Sequence, residues 1–70
     1  MKYWVILETD GKSWSAFVPD LPGCIATGQS MEEVQANIEE AVKFHLEGLE
    51  LEGIEIPRPT TQAIEVKISA

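Results

Sequence analysis

Basic residues are scarce in this chain: five lysines and arginines stand against twelve aspartates and glutamates over 70 residues, for a formal net charge of −7. A phosphate backbone is held by a basic stripe, so direct nucleic-acid binding is not expected. One cysteine, Cys24, cannot close an internal disulfide, and with one histidine, His45, no His/Cys pair has zinc-like spacing. Both usual staples of a small scaffold are therefore missing. The apolar start, Met1 to Leu7, meets Glu8 far short of the ~20 residues of a membrane span or the length of an export signal. A free thiol without an export signal points to the cytoplasm. There is no glycine-rich phosphate loop, since Gly23 and Gly28 lack both its spacing and its strand-to-helix setting. Nothing signals a cofactor or a metal.

What is present is globular: 44% of residues are apolar and 24% charged, enough for one domain over residues 1–70. A domain this small buries only about 60% of the surface its unfolded chain exposes, so the core is thin and self-association is expected to help it. The charge is uneven. Between residues 30 and 57, Lys43 is the one base among eight glutamates, whereas the segment from residue 58 onward carries Arg58 and Lys67 against Glu65. Such an acidic surface attracts a basic protein partner, at a rate that falls as salt rises.

Lys2 to Glu8 reads as a strand with Tyr3, Val5 and Leu7 on one face and Trp4 and Ile6 on the other. Asp10-Gly11 then marks a hairpin, returning as Ser13 to Val18 with Trp14, Ala16 and Val18 on one side. Pro19 and Pro22 break the ladder, and Cys24 to Thr27 forms a short third strand ended by Gly28. Ser30 and Glu33 fit a capping box, so a helix starts at Met31. Its apolar stripe runs Met31, Val34, Ile38, Ala41, Val42, His45, Leu49, with glutamates opposite. Either Gly48 or Gly53 could end it; the periodicity, continuing to Leu49, favours Gly53. Gln62 to Ile68 reads as a last strand, Ile64, Val66 and Ile68 inward. The order is β-β-β-α-β, an α+β fold: a three-stranded antiparallel meander, one helix packed on one sheet face, and a last strand beside the first and parallel to it.

The acidic residues fail the test for an enzyme. A metal-dependent nuclease needs carboxylates converging from several strands. Here Glu8 stands alone at a strand end, Asp10 belongs to a turn, Asp20 lies in a proline-bounded loop, and the helix glutamates face water. His45 sits within the apolar stripe with no nucleophile or orienting carboxylate expected near it. Cys24 has no nearby cation or helix N-terminus to lower its pKa, and reads as a buried structural thiol. The aromatic side chains Tyr3, Trp4, Trp14 and Phe17 all fall on the hairpin. One helix covers one sheet face, leaving either Trp4 and Ile6 or Tyr3, Val5 and Leu7 for another chain to bury. Trp4, Ile6, Trp14 and Phe17 are the candidate residues of an interface between copies.

One segment, Val18-Pro19-Asp20-Leu21-Pro22-Gly23-Cys24, is a specific signature. With Tyr3, Val5, Glu8 and Asp10-Gly11 before it, and Ser30, Glu32-Glu33, Glu40-Ala41-Val42, His45-Leu46-Glu47-Gly48-Leu49, Gly53, Ile56-Pro57 and Pro59 after it, the chain resembles the N-terminal domain of HicB-family antitoxins over essentially its whole length. The resemblance implies a partial RNase H-like βββαβ unit without catalysis. It also implies binding to a HicA-type toxin, a small basic ribonuclease that cleaves messenger RNA with a histidine, and assembly into dimers or higher oligomers. Many such antitoxins carry a C-terminal DNA-binding module; this chain stops at Ala70, so a stand-alone domain is expected, without direct autoregulation. The candidate partner-binding residues are Asp20, Leu21 and Pro22, taken as an exposed rigid loop, and Glu39, Glu40 and Glu47 on the acidic helix face. The other reading open to the sequence is an oligomeric domain of this type that serves a different protein partner and has no toxin.

Overall fold

The first hairpin is built by one carboxylate. Asp10 Oδ1 accepts hydrogen bonds from the backbone N–H groups of Lys12 (2.8 Å) and Ser13 (2.9 Å), an Asx turn that reverses the chain. Gly11 at φ +91° supplies the left-handed step, and Thr9 closes the loop by donating its hydroxyl to the Ser13 carbonyl at 2.8 Å. The computed structural model describes residues 1–69; Ala70, the end of the expected 1–70 domain, lies outside them. From this turn, β1 (Ile6–Thr9) pairs antiparallel with β2 (Trp14–Phe17), which pairs antiparallel with β3 (Ile25–Gly28). β1 and β2 are shorter than the apolar pattern suggests, and β3 keeps the expected length but sits one residue later, taking in Gly28. Residues 2–5 continue β1 in sequence but find no ladder, because Pro19 takes over where β2 would have to continue.

Between β2 and β3, the loop closes on itself. Leu21 N–H donates to the Val18 carbonyl, Cys24 N–H to the Leu21 carbonyl and Val18 N–H to the Cys24 carbonyl, at 3.0, 3.0 and 3.1 Å. This winding turns Leu21 inward, where it is fully buried.

Helix α1 (Met31–Leu51) begins and ends on sequence signals. Ser30 Oγ accepts the Glu33 N–H at 3.1 Å. The Glu33 carboxylate takes the Gln29 N–H at 3.2 Å, one residue earlier than the reciprocal box would have it. At the other end Glu52 is the C-cap and Gly53, at φ +70°, is the left-handed residue after it. Ile54 N–H reaches the Leu49 carbonyl and Gly53 N–H the Glu50 carbonyl, the two bonds of a Schellman stop. Of the two glycines that could end the helix, Gly53 does so.

The helix lies over β2 and β3 and does not reach β1. Its buried residues Val34 and Ile38 meet Ala16, Val18, Leu21 and Cys24 in a core of six. Close approach at β3 depends on Gly28, where an added Cβ would stand 2.7 Å from the Val34 backbone nitrogen.

The expected fourth strand is not formed. Among the described residues, 62–69 belong to no sheet and take part in no backbone hydrogen bond. Ile64, Val66 and Ile68, expected inward, are 86%, 68% and 76% exposed. Just upstream, Thr60 and Thr61 are hydrogen-bonded to Asp20 and the Pro57 carbonyl accepts from Tyr3. The radius of gyration, 13.9 Å, exceeds the roughly 11 Å of a compact chain of this length.

Replacing Gly28 by alanine forces a methyl group against helix backbone that cannot yield as a side chain would. Gly28→Ala is expected to cost about 1–3 kcal/mol, read as a lower urea midpoint at unchanged slope.

Candidate protein-interaction surfaces

Strand register decides which side chains share a face. Leu7, Ala16 and Ala26 are cross-strand partners, as are Ile6, Phe17 and Ile25. The first row packs toward the helix with Trp14, Tyr3 and Val5. The second therefore lies on the outer face, together with Trp4, which alternation places on the same side as Ile6. Nothing covers it: Trp4 is 52%, Phe17 38% and Ile25 69% exposed. Of the two sets that the sequence left open, Trp4 and Ile6 are the ones left outside. Trp14 stands apart from the other three candidate interface residues, half-buried on the helix side. Ile25 completes the row in its place; the missing signal was the β2–β3 register, which a proline-interrupted loop does not reveal.

A second surface is the acidic helix face, where Glu39, Glu40 and Glu47 are all exposed. On the opposite side His45 is half-buried. Among the described residues no three His, Cys, Asp or Glu side chains are grouped to hold a metal ion, and no helix is long and apolar enough to cross a membrane.

The Asp20–Leu21–Pro22 loop departs from the exposed loop expected. Leu21 plugs the core and is closed to a partner, leaving Pro22 as the exposed member. Asp20 is engaged inside the chain. Its Oδ1 accepts the hydroxyls of Thr60 (3.0 Å) and Thr61 (2.8 Å), and its Oδ2 accepts their backbone N–H groups, both at 3.2 Å. Partial burial pushes the Asp20 carboxyl up, but the bonds from Thr61 and Thr60 together outweigh it and hold the group below its ordinary value. Beside this clamp the Tyr3 hydroxyl donates to the Pro57 carbonyl at 2.6 Å; burial and then the Asp20 charge keep that hydroxyl protonated to higher pH.

A third surface runs between β1 and α1. Because the helix stops short of β1, two adjoining hollows of about 260 and 340 Å³ open between Tyr3, Val5 and Leu7 on one wall and Ile38, Glu39 and Val42 on the other. Residues 3–69 match the family described as HicB-like antitoxin of bacterial toxin-antitoxin systems. The chain belongs to the HicB-like antitoxin family. Among its relatives, this HicB-like domain is 37% identical over 67 residues to a UPF0150 protein of Thermoplasma acidophilum, covering 94% of this chain and 97% of that one. It is 44% identical over 45 residues to a UPF0150 protein of Helicobacter pylori, covering 64% of this chain and 62% of that one. An uncharacterized 14.9 kDa protein of Haemophilus phage HP1 is 34% identical over 58 residues, 83% of this chain. The chain spans only 44% of that phage protein's length. No solved structure matches.

Two expected outcomes follow from the Asp20 loop. Since the folded carboxyl titrates below its unfolded value of ~3.9, the clamp's contribution is complete above that pH and is lost as pH falls through the lower folded value. The protection of the Thr60 and Thr61 amides relative to their intrinsic exchange should therefore fall on acidification before the helix melts, and Asp20→Ala should reproduce this at neutral pH. Cys24, buried and with its thiol pKa raised by that burial, should react with a maleimide only as fast as the protein opens.

Proposed function

We propose that this HicB-like domain is an antitoxin of a type II toxin-antitoxin system that neutralises a small, basic, HicA-type messenger-RNA-cleaving toxin by direct protein binding. It acts in the cytoplasm, without catalysis and without nucleic-acid binding of its own. The observation that carries the reading is the juxtaposition of family membership with the exposed acidic helix face of Glu39, Glu40 and Glu47. A ribonuclease must present basic surface to its RNA, and this face offers the opposite charge, so binding would occlude the toxin's RNA-contacting surface. The loop contributes through the exposed Pro22, with Asp20 and Leu21 holding it rigid. In this reading the βββα arrangement is the core of a partial RNase H-like unit used as a binding scaffold. Copies associate through the outer sheet face of Trp4, Ile6 and Phe17, joined by Ile25, with Trp14 bracing it from the core side.

The test is co-purification of the tagged chain with the product of the adjacent small basic reading frame. A stoichiometric complex is expected, its affinity falling as salt rises. Reversing Glu39, Glu40 and Glu47 to lysine should weaken binding by roughly 100-fold or more at low salt while leaving the helix folded. A complex indifferent to these changes would place the toxin elsewhere. Absence of any complex would favour the same fold serving another protein partner.

A further inference from the structure

The second half of α1 carries large apolar side chains that the sheet does not bury. The helix is about 31 Å long, whereas the four-residue strands beneath it span about 13 Å each. Its fully buried residues, Val34 and Ile38, both lie in the first half. Further along, Phe44 is 79% and Leu51 89% exposed. Seven residues apart, they sit on one side of the helix, two turns from each other. Both fall outside the residues that pack on the core, so the fold of the chain draws nothing from burying them.

Between them on the same side is Gly48, four positions after Phe44 and three before Leu51. A glycine inside a helix disfavours it relative to alanine. At Gly28 a Cβ would strike helix backbone, so the chain's own packing requires glycine there. At Gly48 it does not: an added Cβ would meet nothing within 4 Å, and the residue is helical without a positive φ. The missing side chain leaves a shallow notch between Phe44 and Leu51. Its flank is acidic. Glu40 lies one turn before Phe44, and Glu47 lies one turn after Phe44 and one turn before Leu51, both exposed. From residue 30 to residue 57 a single base, Lys43, stands against eight glutamates. Apolar side chains beside a charged rim are the pattern of an interface anchor, and the sign of the rim selects a basic partner. A second copy would bring the same glutamates against these, and a phosphate backbone would be repelled.

We infer that Phe44, Gly48 and Leu51 form the apolar anchor of the acidic helix face: an apolar side chain of a basic protein partner enters the notch at Gly48, between Phe44 and Leu51, while basic groups beside it meet Glu40 and Glu47. This rests on the reading that a basic toxin docks on that face, and it names the residues that hold the toxin once charge has brought it there. The glutamates set the rate of encounter, and burial of Phe44 and Leu51 sets the lifetime of the complex.

The experiment titrates the purified product of the adjacent small basic reading frame into the full chain by calorimetry, at low and at high salt. Phe44→Ala and Leu51→Ala should each raise the dissociation constant about 10-fold or more, by the same factor at both salts, with the helical circular dichroism unchanged. Glu40→Gln combined with Glu47→Gln should instead flatten the salt dependence. Gly48→Ala should raise the thermal midpoint, since nothing stands in the way of the methyl, and yet weaken binding about 10-fold by filling the notch. If the glutamate variants weaken the complex while Phe44→Ala, Leu51→Ala and Gly48→Ala leave it intact, the anchor is overturned and docking on the acidic face stands. No complex with the unaltered chain, or one indifferent to every variant, would overturn both. Light scattering of the chain alone supplies the control: an oligomer that Phe44→Ala dissociates would assign the patch to contacts between copies, and likewise overturn the inference.

Discussion

A single helix cannot cover a three-stranded sheet, and most of this molecule follows from that shortage. α1 lies over β2 and β3, where Gly28 lets it approach and Leu21 fills the space beneath. β1 is left with one edge unpaired, its inner side chains facing a gap and its outer ones facing water. The core holds six buried residues, and the large apolar side chains that would fill a bigger domain are on the surface instead: Trp4, Phe17, Ile25, Phe44, Leu51 and the three of the C-terminal segment. Exposed apolar area on this scale is the mark of an interaction surface. Three of its carboxylates hold the chain in place: Asp10 at the hairpin turn, Glu33 at the helix start and Asp20 in the clamp.

That clamp is the pivot between fold and function. The sequence signature around Pro19-Asp20-Leu21-Pro22-Gly23 looks like an exposed recognition loop, but its residues divide the work. Leu21 belongs to the core, Asp20 holds Thr60 and Thr61, and Pro22 and Gly23 are presented. The loop thereby anchors the chain at Thr60 and Thr61, directly before the C-terminal segment.

Local signals were legible in the sequence. Asp10-Gly11 fixed the hairpin, Ser30 and Glu33 the helix start, and the periodicity to Leu49 chose Gly53 over Gly48, because each depends on backbone chemistry within a few residues. The family was legible too, through one contiguous motif. Long-range placement was not. Alternation told that Trp4 and Ile6 share a face but not which face the helix takes, and Ile25 joined them only through a register set across a proline-interrupted loop. Leu21 between two prolines carries no periodicity that would mark it as buried. The period-two pattern of residues 62–68 predicts a strand but says nothing about a pairing partner, and none is found among the described residues; the tie just before it, to Asp20, reaches some 40 positions back.

The proposed neutralisation works by occupying a surface, in stoichiometric amount, and not by chemistry. It is tested most directly by titrating the purified chain into a fixed amount of its neighbouring toxin while following RNA cleavage. The account predicts a linear fall in activity that reaches zero at a fixed whole-number ratio and returns when salt dissociates the complex. Inhibition that is complete far below stoichiometry, or that persists after the chain is removed, would contradict it.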